Sequence, residues 1–193
     1  DFDLSLCDSG YANNQLLAEI KHCNRLEQIL ARTNLNTREC IMLDAQGQVI
    51  SASQGNIFAV KNGVLLTPSL DECGIEGTRR QVIIELAKEL EISVEISSLS
   101  VSELLNCNEV FITNSVMGIK PIRQINEQIY AQRELTEQLN QAFEKYLLKR
   151  NNSITLKPKR NFLKVMWPLA LGLFLAWSFW ANTVNTVENI TYQ

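Results

Sequence analysis

Apolar and polar positions alternate at the start of the chain. Phe2, Leu4 and Leu6 fall on one face of an extended segment, so residues 1–7 are predicted to form a strand ending at the turn Asp8-Ser9-Gly10. The period then lengthens. Leu16, Leu17, Ile20, Leu26, Ile29 and Leu30 suit one face of a helix within residues 13–33. Short strands over 40–43 and 48–52 flank the Gln46-Gly47 turn. A hairpin pairs 57–60 with 64–67 around Lys61-Asn62-Gly63, because Asn-Gly accepts the positive φ angles of a tight turn, and Pro68 ends its second strand.

The clearest helix runs over 77–91, with Val82, Ile83, Leu86, Ala87 and Leu90 in one apolar stripe and Glu85, Lys88 and Glu89 outside it. A strand follows at 94–96. Ser100 and Glu103 have the spacing of a capping box at a helix start. Residues 110–113 form an apolar run expected of a buried strand, and 131–149 a last amphipathic helix. Strands and helices in irregular order predict a mixed α/β (α+β) fold rather than a helix bundle.

The C-terminal stretch differs in kind. No charged residue occurs from Val165 to Val187, a length that suits the ~20 residues of a membrane-spanning helix. Trp167, Trp177 and Trp180 lie towards its ends, Lys157, Lys159, Arg160 and Lys164 precede it, and Glu188 follows. The pattern predicts a domain over 1–148, a basic linker over 149–164, a transmembrane helix over 165–187 and a short tail over 188–193. The positive-inside rule leaves the domain in the cytoplasm, anchored to the membrane by this span.

Composition narrows the chemistry. Among 193 residues, a net charge of −3 argues against nucleic-acid binding, which calls for a basic face. Five cysteines without CxxC spacing read as reduced thiols rather than a disulfide framework or a zinc ribbon. His22 is the sole histidine, so a multi-histidine metal site is excluded, and no GxSxG elbow is present. The chain opens in mid-pattern at Asp1, without Met, as expected of a fragment that lacks its upstream part.

Three segments could hold a reactive site, and each also has a plain structural reading. Lys21 lies between apolar helix positions, where a lysine is commonly solvated. Gly74-Ile75-Glu76-Gly77-Thr78-Arg79-Arg80 opens directly into a helix, whose free amides attract anions, although many helices begin this way without a ligand. Asn114-Ser115-Val116-Met117-Gly118 follows a buried strand, and its hydroxyl can meet a ligand or cap a turn.

Taken together and in this order, these segments resemble the C-terminal two-thirds of the 4-amino-4-deoxychorismate lyases. Those are fold-type IV pyridoxal-phosphate (PLP) enzymes, of the superfamily that also holds the branched-chain and D-amino-acid aminotransferases. The resemblance spans residues 1 to 148 and is most lyase-like at Ile20-Lys21-His22-Cys23-Asn24-Arg25-Leu26-Glu27-Gln28. It continues through Leu43-Asp44, Gly47, Asn56-Ile57-Phe58, Gly63-Val64-Leu65, Thr67-Pro68, Gly77, Arg80, Glu109-Val110 and Pro121.

The resemblance implies PLP as cofactor, a homodimer, and a small-molecule substrate, 4-amino-4-deoxychorismate. It also implies that Lys21 binds the cofactor covalently and then serves as base and acid. Thr78 and Arg79 are implied to hold the phosphate through backbone amides, and Ser115 to stand at a phosphate-binding threonine position. Two features depart from the family. Ser51 stands where a glutamate usually meets the pyridine nitrogen; serine offers only a neutral hydrogen bond, which disfavours an aminotransferase. The family's N-terminal part, which completes the active site, is absent from this chain. The expected activity is the lyase reaction of folate synthesis, giving 4-aminobenzoate and pyruvate. The alternatives are a class-IV aminotransferase or a non-catalytic, membrane-tethered remnant of the fold.

Overall fold

Two apolar layers cover the opposite faces of one mixed sheet in the computed structural model, which describes residues 2–7, 10–33, 35, 37 and 39–153. The elements in order are β1 (Phe2–Leu6), α1 (Leu26–Arg32), β2 (Glu39–Leu43), β3 (Val49–Ala52), β4 (Asn56–Lys61), β5 (Val64–Pro68), α2 (Thr78–Glu89), β6 (Val94–Ser97), α3 (Val101–Leu105), β7 (Glu109–Asn114), β8 (Gly118–Ile125), β9 (Gln128–Ile129) and α4 (Glu134–Ser153). The sheet order is β3-β2-β1-β8-β7-β4-β5-β6, with β9 paired to β8. The chain clusters into two units, Asp1–Leu148 and Lys149–Gln193, and the first holds the sheet and the candidate site.

The central strands are apolar throughout because both of their faces are covered. On β4 and β7, Phe58, Val60 and Phe111 point to the layer made with Ile83, Ala87, Leu139 and Phe143. Their alternate neighbours Ile57, Ala59, Val110 and Ile112 point to the layer made with Leu104 and Tyr130. The Phe58 and Phe111 rings stack with centroids 5.0 Å apart. The β4–β5 hairpin turns at Asn62 and Gly63, both with positive φ (52° and 80°), as the Asn-Gly pair predicts. The capping box of α3 also forms: Ser100 Oγ accepts from Glu103 N, and the Glu103 carboxylate accepts from Ser100 N.

Several expectations are corrected. The helix expected within 13–33 shrinks to α1, Leu26–Arg32. Glu19 adopts a left-handed backbone (φ 65°) and bridges to Ile75, which interrupts any helix there. Leu16, Leu17, Ile20, Leu26, Ile29 and Leu30 are accordingly 42–86% exposed instead of forming a core face. The last helix begins at Glu134, three residues later than expected.

Strand β8 went unread because its alternation breaks. Ile122 and Ile125 share one layer across a register shift in the pairing with β1, and Pro121 lies within the strand. The five thiols are not all reduced. Parallel pairing of Ser5 with Cys40 brings Cys7 to a Cα–Cα distance of 5.6 Å from Cys40, and the two form a disulfide. Cys73 and Cys107 remain free and buried, and burial pushes both thiols up to about 11. The turn residues Asp8 and Ser9 lie outside the described residues, and so does the membrane span expected over 165–187. No helix among the described residues is long and apolar enough to cross a membrane.

Glu39 gives the fold a pH dependence. It is 3% exposed, and its carboxylate accepts from Ser53 Oγ and Gln54 N. Burial raises its pKa, against the opposing pull of the Ser53 hydrogen bond and the Arg32 charge. A raised carboxyl pKa means that this group's stabilising contribution is complete below the ordinary carboxylate range. That contribution is lost as pH rises through the folded value. Glu39→Gln, which stays neutral, is therefore expected to gain melting temperature relative to the parent chain between about pH 4 and about pH 7. A difference independent of pH would refute this.

Candidate active site

A chain of backbone clasps brings distant segments to one cavity. The Asn56 side chain donates from Nδ2 to Ile75 O (2.8 Å) and accepts at Oδ1 from Gly77 N (3.0 Å), fixing the turn before α2. That turn in turn holds the segment ahead of Lys21: Glu19 N donates to Gly74 O (3.0 Å) and Glu76 N donates to Glu19 O (2.9 Å). Lys21 is thus delivered by an extended stretch tied to the 74–76 loop, not by a helix face. Gly77 tolerates no side chain, because a Cβ there would run into Asn56 Oδ1.

Lys21, Ser51, Thr78, Arg79 and Ser115 all line a cavity of about 690 Å³. At one end stands the start of α2. Gly77, in extended conformation, is its N-cap; no side chain caps the helix, and no acidic residue lies in its first turn. The first amides of α2 are therefore available to an anion. Ser115 lies in the turn after β7, which Asn114 shapes by accepting from Val116 N (2.9 Å) and Met117 N (2.8 Å) while donating to Gln54 O (2.9 Å). The Arg79 guanidinium reaches Ser115 O at 3.5 Å and packs 4.5 Å above the Phe143 ring. Its charge thereby braces the two loops together.

The other wall comes from β3 and α1. Ser51 is 4% exposed, and its Oγ lies 3.0 Å from the Tyr11 hydroxyl and 2.9 Å from Ala52 O. Arg25 and Gln28 project from the start and the first turn of α1 to the same space, Arg25 donating to Ser53 O at 3.3 Å. Two polar atoms of lining residues, Gln28 Oε1 and Thr113 Oγ1, are buried without a hydrogen-bond partner. Buried orphans of this kind are costly.

The sequence reading gave no site role to Tyr11 or Thr113, named Arg25, Gln28 and Asn56 only as part of the family resemblance, and named Asn114 only as part of the turn that bears Ser115. Only the Asn that opens Asn-Ile-Phe and the Asn-Ser turn carried a local signal, as residues that satisfy backbone groups. No group of three or more potential metal ligands occurs among the described residues.

The family model of amino-transferase class IV matches residues 4–125. The chain is 38% identical over 133 residues to a protein of Thermotoga maritima named as a probable branched-chain-amino-acid aminotransferase, covering 67% of this chain and 49% of that protein. It is 32% identical over 126 residues to the aminodeoxychorismate lyase of Vibrio harveyi, covering 64% of this chain and 46% of that one. The crystal structure of 4-amino-4-deoxychorismate lyase from Pseudomonas aeruginosa superposes with a TM-score of 0.72 at 35% identity, over 75% of this chain and 54% of that one. The chain spans about half the length of the curated relatives it matches. With 122 of its residues (4–125) matched and its fold shared with solved members, the chain belongs to the amino-transferase class IV family.

Proposed function

We propose that this chain is the cofactor-holding part of a PLP-dependent aminodeoxychorismate lyase, which converts 4-amino-4-deoxychorismate to 4-aminobenzoate and pyruvate. The observation that supports it most is the convergence of Lys21, Ser51, Thr78, Arg79 and Ser115 on one cavity.

The residues present fit PLP. The uncapped α2 amides at Thr78 and Arg79 and the Ser115 turn suit a phosphate. Ser51 lines the β3 wall of the cavity and, on the family resemblance, is the residue that would meet the ring nitrogen. The Lys21 amine supplies the nucleophile for covalent attachment. When bound, PLP supplies an electron sink next to the substrate amine.

In the proposed reaction Lys21 Nζ takes the proton from the substrate C4. The C–O bond at the neighbouring ring carbon then breaks, the ring becomes aromatic, and the departing enolpyruvate gains a proton to become pyruvate. Arg25, held at the Ser53 carbonyl on the same wall, suits a substrate carboxylate.

A class-IV aminotransferase is the second reading, favoured by the identity to the Thermotoga protein. Ser51 counts against it, since a hydroxyl does not keep a pyridinium charged as a carboxylate does. Incubating the intact gene product and PLP with 4-amino-4-deoxychorismate is expected to yield 4-aminobenzoate and pyruvate in equal amounts. In a parallel reaction, glutamate made from a branched-chain amino acid and 2-oxoglutarate would replace the lyase reading by the aminotransferase one. Bound PLP with neither product would identify a non-catalytic remnant.

A further inference from the structure

We propose that Tyr11 and Ser51 act as one hydrogen-bonding unit on the ring nitrogen of PLP, with Tyr11 as the positioning residue that turns the Ser51 hydroxyl proton into the cavity. This rests on the cofactor reading above and adds to it a residue with no role so far. Tyr11 lies ten residues ahead of Lys21, outside any motif. Its backbone is anchored to β2 by donation from Tyr11 N to Leu43 O (2.8 Å), and its side chain is 8% exposed in the cavity wall.

The assignment follows from counting protons. Two hydroxyls 3.0 Å apart carry two protons. Among the described residues, Ser51 Oγ is the one acceptor within reach of the Tyr11 hydroxyl, so a satisfied Tyr11 donates to Ser51. The Ser51 proton then points elsewhere. Ala52 O is within reach at 2.9 Å, but that carbonyl also receives Gly55 N at 3.4 Å. The Ser51 proton can therefore swing to an acceptor in the cavity without orphaning the carbonyl.

The pair presents one outward donor and no charge. Such a donor matches an unprotonated pyridine nitrogen, where a carboxylate would instead hold it protonated. The proposed unit thus sets the protonation state of the cofactor ring. Its chemistry suits an elimination that ends in an aromatic product more than one that must store a carbanion.

The test uses the full chain, Tyr11→Phe, Ser51→Ala and the double variant. PLP is titrated by equilibrium binding, and ring-¹⁵N-labelled PLP reports the nitrogen by its chemical shift. The parent chain is expected to show a hydrogen-bonded but unprotonated nitrogen. Each single variant is expected to weaken PLP binding about 5-fold, the worth of one hydrogen bond, and to move the shift the same way. The double variant is expected to weaken it little further, because the two groups act as one.

Ser51→Thr keeps the hydroxyl and is expected to keep the parent shift, which separates loss of the donor from damage to the fold. A Tyr11→Phe chain with parent affinity and parent shift overturns the proposal, as does a protonated nitrogen in the parent or a double variant equal to the product of the singles. A parent chain that binds no PLP overturns both this proposal and the cofactor reading, whereas a loaded parent with an insensitive Tyr11→Phe overturns this one alone.

Discussion

Lys21→Ala is expected to abolish covalent retention of PLP and to lower turnover by at least about 10³-fold, since one group supplies both the nucleophile and the proton carrier. The melting temperature is expected to change little. Lys21 is exposed, and the stretch that bears it is held by backbone bonds from Glu19 to Gly74 and Glu76 that alanine leaves in place. Borohydride reduction followed by peptide mapping reads the first effect: label on the peptide containing residue 21 in the parent, none in the variant. Lys21→Arg separates charge from chemistry. It keeps a cation in the cavity but offers no amine for attachment, so it is expected to fail like alanine. Label on another lysine, or full turnover without Lys21, would remove the proposed mechanism.

Glu109→Ala is expected to be the most damaging single change away from the cavity, costing about 3–4 kcal/mol. Glu109 opens β7 and is 4% exposed. Its Oε1 accepts from Leu135 N (3.0 Å) and its Oε2 from Thr136 N (2.8 Å), so one carboxylate satisfies two amides at the start of α4. Charge-assisted bonds of this kind are worth about 1.5–3 kcal/mol each, and their loss leaves the amides without partners. For a domain of this size the melting temperature should fall by roughly 6–16 °C.

The effect is expected to reach the cavity. Helix α4 places Leu139 and Phe143, both fully buried, against the sheet, and Phe143 carries the Arg79 guanidinium that braces the Ser115 turn. Weaker PLP binding should therefore accompany the lower melting temperature. Glu109→Gln, which retains one acceptor oxygen, should lose less than alanine. Parent-like melting in Glu109→Ala would show that α4 does not depend on this cap.

Local patterns were legible where one physical rule governs a short stretch. The Asn62-Gly63 turn, the Ser100–Glu103 capping box and the apolar stripe of α2 all follow from contacts within about four residues, and the structure contains each of them. The strands 110–113 and 57–60 were legible because burial on both faces leaves an unbroken apolar run. The helix over 13–33 failed for the converse reason. Its apolar spacing was genuine, but the Glu19–Ile75 bridge joins residues far apart in the chain and overrides local periodicity. Strand β8 was hidden because its two halves pair with different neighbours across a bulge, so no single alternation runs through it.

The chain's residue order by itself determined the mixed α/β class and the turn that opens α2 at Gly77, because propensity, capping and motif spacing are properties of neighbours; Lys21 as the amine to test came from the family resemblance, not from its local spacing. Tertiary structure alone decided that Asn56 fixes the turn before α2, that Tyr11 meets Ser51, that Cys7 joins Cys40, and that Glu109 caps α4. Each of those contacts spans between 19 and 40 residues of chain. Their geometry depends on strand order and register, which many distant residues set together and no short window of sequence encodes.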